Sequence, residues 1–290
     1  MASSAQWLEA TRPRTLPASI APVLAGTGAA AQADGFVAWK ALLALLLALT
    51  LQVGVNFAND YSDGIRGTDE VRVGPARLVA SGAAPARTVK RAAFGCFALA
   101  AVLGLVLAVS SSWWLVLVGA ASIAAAWYYT GGRRPYGYSG LGEVSVFVFF
   151  GLVATVGTSF AQVGSVTWPA VLAGVAVGLL ACAVLMANNL RDIAGDTVAG
   201  KRTVAVRLGD RRARHAYAGL VTVPYVLLFV MAATGPAVLL ALLSLPLALR
   251  GIRAVARGAT GMALIPVLRD TGLAELVFGA VLGLGLALSG

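Results

Sequence analysis

Residues 41–55 read ALLALLLALTLQVGV, and this apolar run ends at the charged stretch NFANDYSDGIRGTDEVRVGPARLVASG, residues 56–82. Because about 20 apolar residues in a helix cross the hydrocarbon core of a bilayer, the run predicts a membrane-spanning helix with acids at its end. Three of these acids, Asp60, Asp63 and Asp69, lie close together. A single carboxylate at a helix end is commonly only solvated, but several close carboxylates repel one another unless a cation lies between them.

Asn59 lies four residues before Asp63, so the two side chains share one face of a helix. Carboxylate and amide oxygens are hard ligands of the kind that Mg²⁺ prefers. This face therefore predicts a magnesium site.

A second acidic cluster repeats this arrangement in NNLRDIAGDTVAGKRT, residues 188–203, which also follows an apolar run. Asn188, Asp192 and Asp196 are spaced at i, i+4 and i+8, which places them in one stripe along a helix. Two matched clusters make solvation alone a poorer explanation. If the two clusters face each other in the fold, they form a metal-containing site for a diphosphate.

Basic side chains alternate with the acids in both clusters, whereas a site for a cation alone would exclude them. Mg²⁺ takes few protein ligands and shares phosphate oxygens, while Arg donates a pair of hydrogen bonds to the oxygens that remain. The predicted diphosphate-binding and acceptor-binding residues of the two clusters are Arg66, Arg72, Arg77, Asn188, Lys201 and Arg202.

Composition indicates a polytopic membrane protein, since 59% of the residues are hydrophobic and only 12% are charged. Its interior would accept a long apolar substrate. The net charge of +10 is explained by the excess of basic residues in cytoplasmic loops of membrane proteins. We therefore expect the lipid bilayer as a partner and no nucleic acid.

The apolar runs predict an all-α bundle of nine transmembrane helices in a single domain, residues 1–290. The predicted spans are residues 16–33, 41–59, 92–109, 113–130, 144–160, 168–188, 216–234, 237–249 and 273–289. With the N-terminus in the cytoplasm and the C-terminus outside, every Lys and Arg except Lys40 falls on the cytoplasmic side. Both acidic clusters then face the cytoplasm.

A third polar stretch, WYYTGGRRPYGYSGLGEV at residues 127–144, lies between predicted spans four and five. Interfacial tyrosines commonly form only an aromatic belt, but this group faces the same side as the two acidic clusters. Aromatic faces stabilise cations, so Tyr129 is a candidate substrate contact, together with the basic Arg133. For Glu143 the sequence leaves a helix-dipole partner and a substrate contact equally open.

NDYSDGIRGTD and NNLRDIAGDTVAGKRT resemble the two Asp-rich motifs of the UbiA superfamily of intramembrane aromatic prenyltransferases. RPRTLPAS (residues 12–19) and RVGPARLVASG (residues 72–82) resemble the branch that prenylates 1,4-dihydroxy-2-naphthoate. Asn59, Asp60 and Asp63 match the first family motif, but its final Asp would fall at Gly67, with Asp69 two residues later.

The resemblance implies transfer of a polyprenyl group from polyprenyl diphosphate to 1,4-dihydroxy-2-naphthoate, with loss of CO₂ and diphosphate, giving demethylmenaquinone. It implies Mg²⁺ as cofactor and the bacterial cytoplasmic membrane as location. The implied catalytic residues are Asp60, Asp63, Asp192 and Asp196, and the implied metal ligands are Asn59, Asp63, Asp192 and Asp196.

Three alternatives remain open at this stage. Another UbiA-type enzyme would use a different acceptor, and an anion transporter would use the same charged helix ends without chemistry. A CDP-alcohol phosphatidyltransferase also carries acids at cytoplasmic helix ends, but in one contiguous motif. For the naphthoate carboxylate we expect Arg72 or Arg77 as partner, with Arg133 or Arg134 as the alternative and lipid anchoring as the competing role.

Overall fold

The computed structural model describes residues 2–68 and 77–290, and every regular element in these two ranges is helical. The all-α prediction is therefore confirmed for this part of the chain. The α-helices are α1 (Ser4–Ala10), α2 (Pro17–Gln32), α3 (Ala38–Ile65), α4 (Ala86–Ser110), α5 (Trp114–Tyr128), α6 (Gly142–Val146), α7 (Ala154–Val163), α8 (Trp168–Val198), α9 (Val204–Met231), α10 (Leu245–Ala256) and α11 (Leu264–Ala287).

Two further segments complete the longer helical rods. A π-helical segment, Phe147–Val153, joins α6 to α7, and a 3₁₀ segment, Pro236–Ser244, leads into α10. Within the described ranges, seven rods are long and apolar enough to cross a membrane. Two other predicted spans correspond to α2 and α5, which have 16 and 15 residues. The count of nine spans and the orientation of the termini stay predictions.

Helices α3 and α8 continue well beyond the predicted ends of their apolar runs, residues 59 and 188. Hydropathy marks only the part of a helix that faces hydrocarbon, whereas backbone hydrogen bonding continues wherever polar side chains find partners. Consequently Asp63 lies in the last turn of α3, and all three members of the second acidic stripe lie on α8.

Helix α8 occupies the centre of the bundle, and 67% of its most apolar 18-residue stretch is buried. Small residues permit its close approach to neighbouring helices. A Cβ atom on Gly178 would lie 2.9 Å from the Gly151 Cα atom of the π-helical segment, so neither position tolerates a side chain. Around α8, the principal buried cluster draws residues from α2, α9, α10 and α11.

At the end of the bundle opposite Asp63, a basic side chain joins three helices. The Lys40 ammonium near the start of α3 donates to the Ser110 carbonyl (2.9 Å), Ser111 Oγ (3.0 Å) and the Ala161 carbonyl (2.8 Å). We call these four residues the Lys40 junction. It holds the first turn of α3 against the last turns of α4 and α7.

Candidate active site

Asp63 is the meeting point of the first acidic motif, the loop after α5 and the chain after α8. The residue is almost fully buried, at 4% exposure. The Tyr138 hydroxyl donates to Oδ1, the Lys201 Nζ lies 3.8 Å from Oδ1, and the Arg77 Nη2 lies 3.8 Å from Oδ2. The two motifs, distant in sequence, thus share one charged cluster.

One backbone hydrogen bond holds the loop after α5 against the loop after α8, and a second one closes the C-terminal end of α8. The Arg202 N–H donates to the Tyr138 carbonyl at 2.8 Å, and the Lys201 N–H donates to the Asp196 carbonyl at 2.8 Å. Gly140 has φ of +77°, and a Cβ atom there would lie 2.9 Å from Arg207 Nε. The positive φ favours glycine at this position, and a side chain there would also force Arg207 to move.

Tyr138 lies between two cations. Lys201 Nζ is 4.6 Å from the ring centroid and the Arg66 guanidinium carbon is 5.7 Å from it. Burial, followed by the negative charge of Asp63, raises the pKa of the Tyr138 phenol above its ordinary value. The phenol is therefore neutral at physiological pH and acts as a hydrogen-bond donor to Asp63.

Asp60, in contrast, holds the chain that follows the first motif. Its two carboxylate oxygens accept the backbone N–H groups of Leu78 (2.9 Å) and Val79 (3.0 Å), and the side chain is 1% exposed. These bonds fix the position of Arg77 next to Asp63. The contacts give Asp60 the role of a loop anchor, and its predicted catalytic role stays a prediction.

Arg66 and Asn59 also join α3 to the loop after α5. The Arg66 guanidinium donates to the backbone carbonyls of Thr130 and Gly132, and Asn59 Oδ1 accepts the Thr130 hydroxyl at 2.8 Å. In this arrangement Arg66 therefore directs its donors to the protein backbone.

The second acidic motif lies along α8 as the spacing predicted. Arg191 donates through Nε and Nη2 to the two carboxylate oxygens of Asp192, both at 2.7 Å, and through Nη2 to Asn188 Oδ1 at 2.8 Å. This fork–fork pair holds the Asp192 carboxylate in a fixed orientation.

The predicted site residues thus divide into groups. Asp63, Arg77 and Lys201 are brought together, whereas Arg133 and Arg202 have exposed side chains. Asp69 and Arg72 lie outside the described residues. That Asp69 replaces the metal ligand absent at Gly67 therefore stays a hypothesis.

Sequence reasoning missed Tyr138 as a site residue and left Glu143 unassigned. The signal for Tyr138 was its place in the tyrosine-rich loop on the same side as both motifs, but spacing alone did not distinguish it from Tyr129. Glu143 Oε1 accepts the Asn189 side-chain amide at 3.0 Å, so Glu143 contacts the helix that carries the second motif.

The donor set fits Mg²⁺ bound together with phosphate. In residues 2–68 and 77–290, no group of three or more His, Cys, Asp or Glu side chains is close enough to hold a metal by itself. Mg²⁺, however, commonly takes one or two carboxylates and completes its octahedron with phosphate oxygens and water. Hard oxygen donors on the ends of α3 and α8, with cations beside them, satisfy that requirement.

An apolar cavity of about 580 Å³ begins beside the charged cluster. Asn59, Tyr129 and Tyr136 line its polar end, and the Tyr129 and Tyr136 rings meet edge to face with centroids 5.6 Å apart. Other lining residues on α4 and α5 reach the surface, including Leu105 at 49% exposure and Val116 at 38%. The cavity therefore opens sideways between these helices, where hydrocarbon would surround a membrane-embedded bundle.

This combination of an all-helical membrane bundle, two acidic helix ends and an apolar cavity places the chain in a known class. Residues 19–261 match the model of the UbiA prenyltransferase family, and the chain belongs to that family.

Among its relatives is a protein of Mycobacterium tuberculosis named 1,4-dihydroxy-2-naphthoate octaprenyltransferase. The two are 58% identical over 96% of this chain and 95% of that protein. An Escherichia coli protein of the same name is 39% identical over 98% of this chain and 95% of its own length.

Solved structures share the fold at low sequence identity. A UbiA homologue from Aeropyrum pernix superimposes with a TM-score of 0.71 at 16% identity, covering 93% of this chain and 97% of that one. A UbiA homologue from Archaeoglobus fulgidus, bound to DMAPP and Mg²⁺, gives a TM-score of 0.64 at 18% identity, covering 98% and 99%.

Proposed function

We propose that the protein transfers a polyprenyl group from polyprenyl diphosphate to 1,4-dihydroxy-2-naphthoate, releasing diphosphate and CO₂ and giving the hydroquinone form of demethylmenaquinone in menaquinone biosynthesis. The observation that carries the proposal is the junction of the charged cluster with the apolar cavity. Asn59 lines the cavity and lies one helical turn from Asp63, so a diphosphate at the cluster has its prenyl chain in the cavity. The names of the bacterial relatives support this choice of substrates.

The diphosphate would be held by Lys201 of the cluster. Lys201 approaches Asp63 only to 3.8 Å, which is longer than a direct hydrogen bond, so phosphate oxygens can compete for its donors. Negative charge accumulates on the diphosphate as the allylic C–O bond breaks, and fixed cations stabilise that charge.

Magnesium would be held by Asn59 and Asp63 on α3 and by Asp192 and Asp196 on α8. When bound, Mg²⁺ supplies further stabilisation of the leaving diphosphate. The A. fulgidus homologue bound to DMAPP and Mg²⁺ supports the same cofactor here. Arg191 orients Asp192 and Tyr138 orients Asp63, and Mg²⁺ would replace these partners on the carboxylate oxygens that it binds.

The allylic cation formed by loss of diphosphate must be protected from water. Tyr129 and Tyr136 line the cavity at its polar end, where their ring faces stabilise positive charge. The apolar walls beyond them exclude water from the cation. An electron-rich naphthoate ring carbon then forms the new C–C bond, and the bond to the carboxylate breaks to release CO₂.

Before that step the naphthoate carboxylate must be oriented. Arg77 is the candidate among the described residues, because its backbone is fixed by Asp60 through Leu78 and its guanidinium faces Asp63. Arg72 is the second candidate, and Arg133 and Arg134 are exposed alternatives.

The same proposal includes the arrangement in the membrane. Residues 1–290 would form one domain of nine spans, with α2 and α5 as the two shorter ones, the N-terminus in the cytoplasm and the C-terminus outside. The bacterial cytoplasmic membrane would be the location, with the Asp63 cluster facing the cytoplasm. Support comes from the distribution of Lys and Arg, since among the residues that the structure describes Lys40 alone lies at the end opposite the Asp63 cluster.

Purified protein incubated with labelled polyprenyl diphosphate, Mg²⁺ and 1,4-dihydroxy-2-naphthoate tests the proposal. We expect a prenylated naphthohydroquinone, which is detected as the quinone after oxidation in air, together with one CO₂ for each diphosphate released. An anion transporter would form no such product. A UbiA-type enzyme with another acceptor would form a prenylated product only when the naphthoate is replaced.

A further inference from the structure

Lys40 uses all three donors of its ammonium group within the protein. The acceptors are the carbonyls of Ser110 and Ala161 and the hydroxyl of Ser111, which itself donates to the Ala161 carbonyl at 2.6 Å. Ser110 is the last residue of α4, and Ala161 lies in the last turn of α7. Carbonyls at helix C-termini lack intrahelical partners and carry partial negative charge, so one lysine stabilises both helix ends.

The Lys40 junction lies directly beyond the apolar end of the cavity. Ala44, Leu107 and Ala161 line the cavity and also belong to one buried apolar cluster. Ala161 is therefore shared between the cavity wall and the junction, and Ala44 follows Lys40 by about one turn of α3.

The depth of the cavity follows from the same helix. Asn59 marks its polar end and Ala44 its apolar end, and both lie on α3, so the two ends are about 22 Å apart. The diphosphate position is fixed at the Asp63 cluster, which leaves the isoprene units to extend from Asn59 towards Ala44.

From this geometry we infer that Lys40 is a specificity-determining residue. The Lys40 junction closes the far end of the cavity and so sets how many isoprene units of the prenyl chain the cavity holds. Units beyond that number leave through the opening between α4 and α5 into lipid and add little to recognition. The inference rests on the proposed function, which places the prenyl chain in this cavity.

The test measures kcat/KM for a series of prenyl diphosphates that grow by one isoprene unit. For the unaltered protein we expect kcat/KM to rise by at least about tenfold for each unit that still enters the cavity, and then to become constant. The chain length at which the rise stops is the break point. A series with no break point would overturn the inference.

Two variants should move the break point in opposite directions. Lys40→Met removes the three donors and opens the far end, so the break point moves to a longer chain. Ala44→Leu fills the same end, so the break point moves to a shorter prenyl chain. If Lys40→Met does not fold, the break point of Ala44→Leu still tests whether this end of the cavity limits the chain. An unchanged break point in folded Lys40→Met, or in Ala44→Leu, would overturn the inference.

Gln32→Met serves as the matched control. Gln32 Nε2 donates to the Thr234 carbonyl at 3.2 Å at the same end of the bundle, but it joins α2 to the chain after α9 and does not line the cavity. Its break point should equal that of the unaltered protein. If the proposed function fails, the result is different, because no prenyl diphosphate of any length would then yield a prenylated naphthohydroquinone.

Discussion

The Lys201 ammonium lies 3.8 Å from Asp63 Oδ1, which joins the chain after α8 to the last turn of α3. The same ammonium lies over the Tyr138 ring. One cation therefore contacts both the acid and the aromatic ring of the charged cluster, and its removal affects each of them.

Replacing Asp63 by Asn should reduce kcat by about 10²–10³-fold, because one charged group at the site of leaving-group departure contributes roughly that much. Asn keeps the shape and can still accept the Tyr138 hydroxyl, so the fold is preserved. Turnover of labelled polyprenyl diphosphate measures the effect. Asp210→Asn is the control, since Asp210 pairs with Arg214 on the exposed surface of α9. Activity within about twofold of the unaltered protein would remove Asp63 from the catalytic machinery.

Lys201→Met should raise the KM for prenyl diphosphate about tenfold, while Lys201→Arg should restore much of the loss because the charge returns. Steady-state kinetics with saturating naphthoate separates KM from kcat. Arg211→Met, at an exposed position, should leave both unchanged. Equal KM values for Lys201→Met and the unaltered protein would contradict a diphosphate contact.

Asp60→Asn should lower the free energy of unfolding by about 2–4 kcal/mol, because a neutral amide cannot accept both backbone N–H groups of Leu78 and Val79. The chain near Arg77 should also become more sensitive to trypsin. Unfolding in mixed micelles and mass spectrometry of the tryptic fragments measure the two effects. Asp270→Asn, which loses a contact with the exposed Arg269, is the comparison. An Asp60→Asn variant with normal stability but no activity would show that Asp60 acts in catalysis and not as a loop anchor.

Tyr138→Phe should change how stability depends on alkaline pH. A solvated phenol has a pKa of about 10, and burial together with the charge of Asp63 raises the pKa of Tyr138 in the folded state. Protonated Tyr138 therefore stabilises the fold fully below about pH 10, and this contribution is lost as the pH rises from there towards the folded-state pKa. Unfolding measured from about pH 8 to 11 should show a steeper loss for the unaltered protein than for the variant. If the free energy of unfolding falls equally with pH in both proteins, the raised pKa of Tyr138 does not contribute to this loss of stability.

Arg77→Lys keeps the charge but loses the paired donors. An acceptor contact predicts a KM for naphthoate raised about tenfold, with little change in the KM for prenyl diphosphate. The same kinetics on Arg133→Lys provides the comparison, because Arg133 is exposed. If only Arg133→Lys changes the naphthoate KM, the carboxylate is held by the loop after α5.

Sequence reasoning reached the helical class, the family and the residues at the two helix ends, because hydropathy and i, i+4 spacing are local properties. It did not reach the division of labour between Asp60 and Asp63. These two acids are three positions apart on one helix, and only the returning chain at Leu78 and Val79 distinguishes them. Sequence reasoning missed Tyr138 for the same reason, because its role in the site depends on the tertiary contact between Lys201 and Asp63.

Hydropathy also misplaced the ends of α3 and α8, because the final turns of both helices carry polar side chains. Likewise the sequence marked Lys40 only as an exception to the charge distribution. Its three acceptors are carbonyl and hydroxyl groups at the ends of α4 and α7, and backbone acceptors leave no signature in residue types.

Helix α5 has no buried residue, although several of its side chains line the cavity. Its outer face carries Trp114 and Leu117, which are 71% and 60% exposed. Surrounding acyl chains therefore form part of the support for the cavity wall, and their lateral pressure helps to keep α5 in place. Extraction into short-chain detergent should loosen this wall while leaving the polar cluster intact. Enzyme handled in that way would retain diphosphate affinity but lose discrimination among prenyl tails, and reconstitution into liposomes would restore it.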